Sequence, residues 1–152
     1  MESYIEFDVF GVMLRFYDEE RIDKISWGKW KTIKQTNSNG YKTIYITDKN
    51  VRVHRVVYKA HNLSWDITDN SKNNYIDHID TCKSNNKISN LQVATQQQNC
   101  FNQNAKGYCY IKQRKKYRAE IMRDGKHINL GYFEKEEDAR NAYLKGKLIY
   151  HI

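Results

Sequence analysis

The segment from Asp77 to Asn99 constrains the fold of this 152-residue chain more than any other stretch. An extended run leads into Asp77, and residues 80–86 are rich in Asn, Ser and Asp, which favours a turn. Residues 91–93 alternate apolar with polar side chains, as a short returning strand does. Thr95 opens a Thr-x-x-Gln capping box, which predicts a helix with Asn99 in its first full turn. The segment is therefore predicted to fold as strand, loop, strand and helix, bringing Asp77 and Asn99 towards each other.

The residue types in this segment suit the hydrolysis of a phosphodiester. An attacking water must lose a proton while a cation neutralises the charge that grows on the scissile phosphate and the leaving oxygen. His78 suits the first task, because an imidazole with a pKa near ~6.5 accepts a proton at neutral pH. Asp77 and Asn99 offer oxygen ligands, which favour Mg²⁺ or Mn²⁺ over zinc. The pattern predicts a metal-dependent nuclease with one divalent cation per active site.

The polar residues of the segment stand in a fixed order, Asp77-His78, then Asn85-Asn86, then Asn90-Leu91, then Asn99. That order resembles the HNH nuclease motif, in the branch found in phage homing endonucleases in which the last His is Asn. Upstream, His54-Arg55-Val56-Val57 matches the His-Arg-Leu-Val element that precedes the motif in that branch. The resemblance covers about residues 30–103.

The resemblance implies a ββα-metal nuclease core and a role for each matching residue. His78 would be the general base, Asp77 and Asn99 the metal ligands, and Asn90 the residue that holds the loop and orients His78. The remaining matches would be structural; they are Asp80, Asn85 and Asn86. The upstream His54 and Arg55 open a predicted short helix and are interpreted as structural residues or phosphate contacts, with direct catalysis by His54 the less favoured alternative.

The C-terminal third of the chain alternates in a way that predicts three antiparallel strands, at residues 108–112, 117–123 and 127–131. Asp124-Gly125 between the last two is a strong hairpin signal. One face of the sheet would be apolar, with Tyr117, Ala119, Ile121, Ile128 and Leu130, and the other would carry Arg118, Glu120, Met122, His127 and Asn129. Residues 135–150 have apolar and small residues at helical spacing and would cover the apolar face.

Four short runs characterise this third: Lys116-Tyr117-Arg118-Ala119, Asp124-Gly125-Lys126, Leu130-Gly131-Tyr132-Phe133 and Glu136-Glu137-Asp138-Ala139. They resemble the ethylene-response-factor DNA-binding domain, over about residues 107–150. In plant members the open face of the sheet lies in the major groove, so the resemblance implies that the polar face contacts DNA. Met122 stands where an arginine is usual, and the base preference is therefore not carried over.

The positive charge is concentrated in the same third. Residues 104–152 contain twelve Lys or Arg against six Asp or Glu, which is +6 of the total net charge of +8. Basic residues interleaved with tyrosines are typical of phosphate contacts. The predicted DNA-binding residues are Lys112, Arg114, Lys115, Lys116, Arg118, Glu120, Met122, Arg123, Lys126, His127 and Asn129.

Several features exclude other classes of protein. The chain has no Pro and no long apolar run, so neither a transmembrane helix nor a secretory signal is visible, and the basic residues lie on strands rather than on one face of a helix, which disfavours a membrane surface. Three cysteines without a Cys-x-x-Cys pair argue against a zinc ribbon and a disulfide framework. A reducing, cytoplasmic location in a phage-infected or host cell is expected. Core packing is the expected role of Trp27, Trp30 and Trp65, with stacking on DNA the less favoured alternative.

These inferences predict an α+β chain with a ββα-metal HNH nuclease core, followed by a three-stranded antiparallel sheet packed on one helix. The expected domains are an N-terminal strand region of uncertain role, residues 1–30, a nuclease domain, 31–103, and a DNA-binding domain, 104–152. The expected activity is metal-dependent cleavage of double-stranded DNA by a monomer or weak dimer. The alternative is a non-catalytic, sequence-specific DNA-binding regulator that retains the HNH fold.

Overall fold

The computed structural model describes residues 2–151, and within them the fold is mixed α/β, with twelve strands that pair antiparallel and three helices. The chain divides into two compact units, residues 1–99 and 100–152. In the described part of the chain, no helix is both long and apolar enough to cross a membrane.

The first unit begins with a four-stranded sheet whose strands follow one another in chain order. Its strands are β1 (Ile5–Val9), β2 (Val12–Phe16), β3 (Ile22–Ser26) and β4 (Lys29–Thr32). Val9 pairs with Val12, so β1 and β2 form a hairpin whose turn contains Gly11. One face of the sheet is buried, because the alternate residues Phe7, Val9, Leu14 and Phe16 point into the core.

A three-stranded sheet and a helix complete that core. The strands are β5 (Thr36–Ser38), β6 (Tyr41–Ile46) and β7 (Lys49–Arg52), and α1 (Val53–His61) follows β7 without a linker. The buried residues of α1 recur at helical spacing and meet the buried isoleucines of β6, Ile44 and Ile46. The strands of the first 32 residues therefore share one core with the segment that follows them.

The predicted strand, loop, strand and helix are present next along the chain. They are β8 (Tyr75–His78), a loop that ends in a 3-10 turn (Ile88–Asn90), β9 (Leu91–Ala94) and α2 (Gln96–Asn102). The capping box is reciprocal: the Thr95 amide donates to Oε1 of Gln98 at 2.9 Å, and the Gln98 amide donates to Oγ1 of Thr95 at 3.1 Å. Thr95 therefore starts α2 as the sequence predicts.

The second unit is a three-stranded antiparallel sheet with one helix packed on it. Its elements are β10 (Tyr108–Ile111), β11 (Lys116–Arg123), β12 (Lys126–Phe133) and α3 (Glu136–Tyr150). Ala119 and Ile121 are buried beneath α3, as the alternation of β11 predicts. A Cβ at Gly146 would lie 2.8 Å from Cδ1 of Leu130, so the small residue allows the close approach of helix and sheet.

One expectation about the tryptophans is wrong. Trp65 is half-buried and packs against the core of the first unit, but the side chain of Trp27 is 98% exposed. It occupies a two-residue turn between β3 and β4, where no part of the sheet can cover it.

Candidate active site and nucleic-acid interface

Strand β8 carries Asp77 and His78 as consecutive buried residues. The side chains of both residues are buried, with exposed fractions of 8% and 3%. Asp77 pairs with Gln92 and His78 with Leu91 across the hairpin to β9, so the backbone of each is held in the ladder. A buried carboxylate next to a buried imidazole requires compensating partners, and the residues around His78 provide several of them.

The imidazole of His78 has a direct hydrogen-bond partner in Asn86. Nε2 of His78 lies 3.0 Å from Oδ1 of Asn86, and Asn86 is itself 3% exposed. An amide oxygen can only accept, so Nε2 carries the hydrogen and donates it. The lone pair of the neutral ring is then on Nδ1. Asn86 was predicted to be structural, and its position against His78 is the main feature that the sequence did not reveal.

Asn90 holds the loop between β8 and β9. Its amide nitrogen donates to Oδ1 of Asp80 and to the carbonyl of Asn85, each at 2.8 Å, and its Oδ1 accepts from the Asp80 amide at 3.0 Å. Asn85 also donates to Oδ2 of Asp80 at 2.7 Å. Donors from Asn85, the Cys82 amide and Asn90 lower the pKa of the Asp80 carboxyl. Asn90 therefore bonds to the loop that presents Asn86.

His54 packs against His78 from α1. The two rings meet edge to face with centroids 4.9 Å apart, and His54 is 2% exposed. Burial, assisted by the neighbouring His78 and by the charged side chains of Arg52 and Arg55, lowers the pKa of His54 to about 3. His54 is therefore neutral at neutral pH. Its Nδ1 is buried without a hydrogen-bond partner among the described residues.

Tyr41 brings two cationic side chains to the same cluster. Its ring centroid lies 5.5 Å from that of His54 and 6.0 Å from that of His78. The guanidinium of Arg52 lies 4.2 Å from the Tyr41 ring centroid, and Nζ of Lys83 lies 4.9 Å from it. Both Arg52 and Lys83 are exposed, so positive charge is available to an anion that approaches the cluster.

Arg55 has a different environment from the residue before it. Its guanidinium donates to the carbonyls of Ile67, Asp69 and Asn74 at 2.8–3.3 Å and stacks on the Trp65 ring. Burial lowers the pKa of Arg55. These contacts connect the loop after α1 to the helix. Of the two roles that the sequence left open for Arg55, structural residue or phosphate contact, they favour the structural one.

A cleft of 670 Å³ opens beside this cluster, within the first unit. Its lining includes His54, Ile76 and Tyr75, together with the cationic side chains of Lys49 and Arg52. The dimensions are within the range of ordinary ligand sites, and the lining combines apolar side chains with positive charge. The cleft therefore combines apolar surface with positive charge beside His54, whose ring packs against that of His78.

The oxygen donors predicted to hold a metal are Asp77 on β8 and Asn99 on α2. Within residues 2–151 no group of three or more His, Cys, Asp or Glu side chains is placed to hold a metal ion. Mg²⁺ is commonly held by one or two carboxylates and completes its shell with water and phosphate oxygens, so a pair of hard oxygen donors fits this ion by its chemistry. The three cysteines are exposed free thiols.

In the second unit, the polar face of the sheet is opposite α3. Glu120 pairs with Asn129 and Met122 pairs with His127, so four of the predicted positions share the uncovered face. A β-bulge between Ala119 and Glu120 shifts the register and makes Tyr132 the partner of Arg118. Tyr132 therefore joins this face, which simple alternation does not predict. Asn129 supports the bulge, since its Oδ1 accepts from the Gly131 amide at 2.9 Å.

The basic residues of this unit lie mainly in its turns and along the open face. Residues Lys112–Arg114 form a 3-10 turn that ends at Lys115. The guanidinium carbon of Arg114 lies 4.6 Å from the centroid of the Tyr132 ring, so the two groups stack. Several of the others have carboxylate partners; the pairs are Arg118 with Glu120 at 2.9 Å, Arg123 with Asp124 at 3.5 Å, and Lys116 with Glu134 at 3.9 Å. Lys126 and His127 are exposed at the other end of the sheet.

The chain is 32% identical over 130 residues to a protein of Acanthamoeba polyphaga mimivirus named an uncharacterized HNH endonuclease. This similarity supports a relation to the HNH nucleases. The match covers 78% of this chain and 65% of the viral protein, so the chain spans slightly less than two thirds of that relative. No family model matches the chain, and no solved structure matches it.

Proposed function

We propose that this chain is a metal-dependent endonuclease of the HNH type that hydrolyses phosphodiester bonds in double-stranded DNA. The observation that carries the proposal is the hydrogen bond from Nε2 of His78 to Asn86, next to Asp77 on the same strand. Because Nε2 donates this bond, the lone pair of the neutral His78 ring is on Nδ1, and a general base accepts a proton with such a lone pair. The relation to a named HNH endonuclease supports the same function.

In this proposal His78 accepts a proton from the attacking water at Nδ1 while the water oxygen bonds to phosphorus and the leaving oxygen departs. Asn86 acts as a positioning residue, because its oxygen accepts from Nε2 and this hydrogen bond strengthens when the ring becomes charged and its N–H becomes a stronger donor. Asp77 and Asn99 would hold one Mg²⁺ or Mn²⁺. When bound, this ion would neutralise negative charge on the phosphate. Arg52 and Lys83 attract and orient the DNA backbone near the histidines.

We further propose that residues 31–103 supply the nuclease chemistry, on a ββα-metal core, and that residues 104–152 supply DNA affinity. The uncovered sheet face and basic turns of the second unit support this division, because they place cationic and polar side chains where no helix covers them. Backbone phosphates would meet the basic turns, and the sheet face would meet base edges.

The test is incubation of the full chain with supercoiled plasmid in Mg²⁺ or Mn²⁺. Relaxed or linear products that disappear with EDTA, and that a His78→Ala protein does not form, are expected. A folded protein that binds plasmid but leaves it supercoiled in every metal would contradict the nuclease proposal and favour a non-catalytic DNA-binding protein.

A further inference from the structure

Strands β3 and β4 are joined by a two-residue turn, Trp27-Gly28, whose backbone conformation is energetically unfavourable for a tryptophan. Both residues have positive φ, 52° and 71°. Two-residue turns of this kind favour Asn-Gly or Asp-Gly, and a bulky side chain in the left-handed region is strained. Packing of the indole does not offset this strain, because the side chain of Trp27 is 98% exposed. Folding alone therefore does not account for a tryptophan at this position.

Other turns in the chain show the contrast. Asp124-Gly125 has nearly the same backbone, with φ of 51° and 74°, and carries the residue pair that such turns favour. Phe10-Gly11 also places an aromatic residue at positive φ, but Phe10 packs against the core and lies beneath the ammonium of Lys49. An aromatic side chain that faces solvent is thus a distinct property of the Trp27 turn.

One face of the hairpin behind Trp27 is cationic. Lys24 and Lys31 are direct cross-strand partners, and Lys29 pairs with Ser26 on the same face. Like charges directly opposite each other destabilise a strand pair. Among residues 2–151 none of these three lysines forms an ion pair with a carboxylate. An external anion would relieve the repulsion between them.

The opposite face makes the hairpin stiff. Ile25 pairs with Trp30 across the strands, and the guanidinium of Arg15 lies 4.0 Å from the Trp30 ring centroid and 4.2 Å from that of Tyr4. Glu6 accepts from Nε of Arg15 at 2.7 Å and fixes the guanidinium in place. The exposed indole is therefore carried on a supported hairpin and loses little freedom when it binds.

We infer that the β3–β4 hairpin is a second DNA-contacting element, in which Trp27 stacks between neighbouring bases of duplex DNA while Lys24, Lys29 and Lys31 contact the flanking phosphates. This inference rests on the proposed function, since it takes DNA to be the substrate. Nucleic acid is the partner that offers both a flat π-surface for the indole and closely spaced negative charge for the lysines. Apolar side chains inserted at a base step are a known way of gripping and bending a duplex.

The experiment measures binding of the full chain to a labelled duplex in EDTA, so that cleavage does not interfere. Trp27→Ser is expected to weaken affinity by roughly 5- to 100-fold, the range that stacking on a base supplies, while Trp27→Phe keeps most of it. Tyr45→Ser is the matched control, because Tyr45 is a 57% exposed aromatic residue on β6 of the same unit. Lys24 donates to its backbone carbonyl, which the variant keeps, so affinity is expected to be unchanged. Lys29→Gln with Lys31→Gln is expected to reduce the slope of log affinity against log salt by about 2.

The outcomes separate this inference from the nuclease proposal. Trp27→Ser protein that binds and cuts DNA like the wild type would overturn the inference and leave the nuclease function in place. Wild-type protein that neither binds nor cuts DNA would overturn both. Quenching of indole fluorescence by single-stranded but not duplex DNA would overturn the duplex form of the contact. Thermal unfolding of each variant checks that it is folded, and Trp27→Ser is not expected to lower the unfolding temperature.

Discussion

Nε2 of His78 donates a hydrogen bond to Oδ1 of Asn86 over 3.0 Å, and both side chains are buried. The bond selects one tautomer of the imidazole, with the lone pair on Nδ1. It also links two segments that are eight residues apart, β8 and the loop that Asn90 anchors. The loop therefore helps to fix the orientation of the histidine ring.

We expect Asn86→Ala to lower the cleavage rate by about 10- to 100-fold. A hydrogen bond to a charged group contributes roughly 1.5–3 kcal/mol, and in the proposed mechanism His78 becomes charged in the transition state. Asn86→Asp keeps an acceptor and places a negative charge beside the ring, which should move the pH–rate profile to higher pH. Single-turnover cleavage across pH measures both effects. Equal rates for wild type and Asn86→Ala would show that the bond is not used.

Replacement of His78, the proposed general base, should have a larger effect. We expect His78→Ala to lower cleavage by ~10² to 10⁴-fold, the usual contribution of general-base catalysis, while DNA binding is nearly unchanged. Cleavage at saturating protein and binding in EDTA separate the two quantities. Near-normal cleavage by a pure His78→Ala preparation would remove His78 from the mechanism.

A metal requirement is predicted from the oxygen donors proposed to hold the ion. We expect activity to need Mg²⁺ or Mn²⁺, to vanish in EDTA, and to return when either ion is restored. Asp77→Asn should raise the Mg²⁺ concentration needed for half-maximal cleavage, because an amide is a weaker ligand than a carboxylate. Stoichiometric zinc in the purified protein, or cleavage that survives thorough chelation, would contradict this expectation.

His54 predicts a pH dependence of stability. Its pKa of about 3 in the folded chain is below the ordinary value of 6.5, so the unfolded chain binds the proton first as the pH falls. Stability from this group is complete above pH 6.5 and is lost between pH 6.5 and about 3. Between pH 7 and 5 the loss is about 2 kcal/mol. Urea unfolding at both pH values measures it, and His54→Leu should remove this part of the difference; an unchanged difference in that variant would show that other groups cause it.

The second unit predicts two kinds of DNA contact. Lys112, in the exposed 3-10 turn, is expected to contact phosphate, so Lys112→Gln should weaken binding to all sequences about equally and reduce the salt slope by about 1. Arg118 lies on the sheet face, and Arg118→Ala should cost ~1 to 3 kcal/mol at a preferred site if the side chain reads a base. The affinity of each variant for preferred and scrambled duplexes, measured at several salt concentrations, distinguishes the two kinds of contact. Identical behaviour of the two variants would contradict the division.

Local elements were predictable where a local physical cause produces them. The capping box at Thr95, the hairpin at Asp124-Gly125 and the alternation of β11 each depend on residues that are neighbours in sequence, and all three are present. The exposure of Trp27 was not predictable from its hydrophobicity, because burial depends on whether other elements cover a turn. The bulge that turns Tyr132 to the open face was not predictable from the sequence either, because it inserts one residue into an otherwise regular alternation.

By itself the sequence determined the order of strand, loop, strand and helix around Asp77, His78 and Asn99, and the concentration of charge in the last third of the chain. Only the tertiary structure decided which asparagine meets the His78 ring, because Asn85, Asn86 and Asn90 are chemically equivalent and differ in where the loop directs them. It also decided the neutrality of His54, which follows from burial against His78 across more than twenty residues of chain. Contacts of this kind depend on packing between distant segments, and no local pattern in the sequence encodes them.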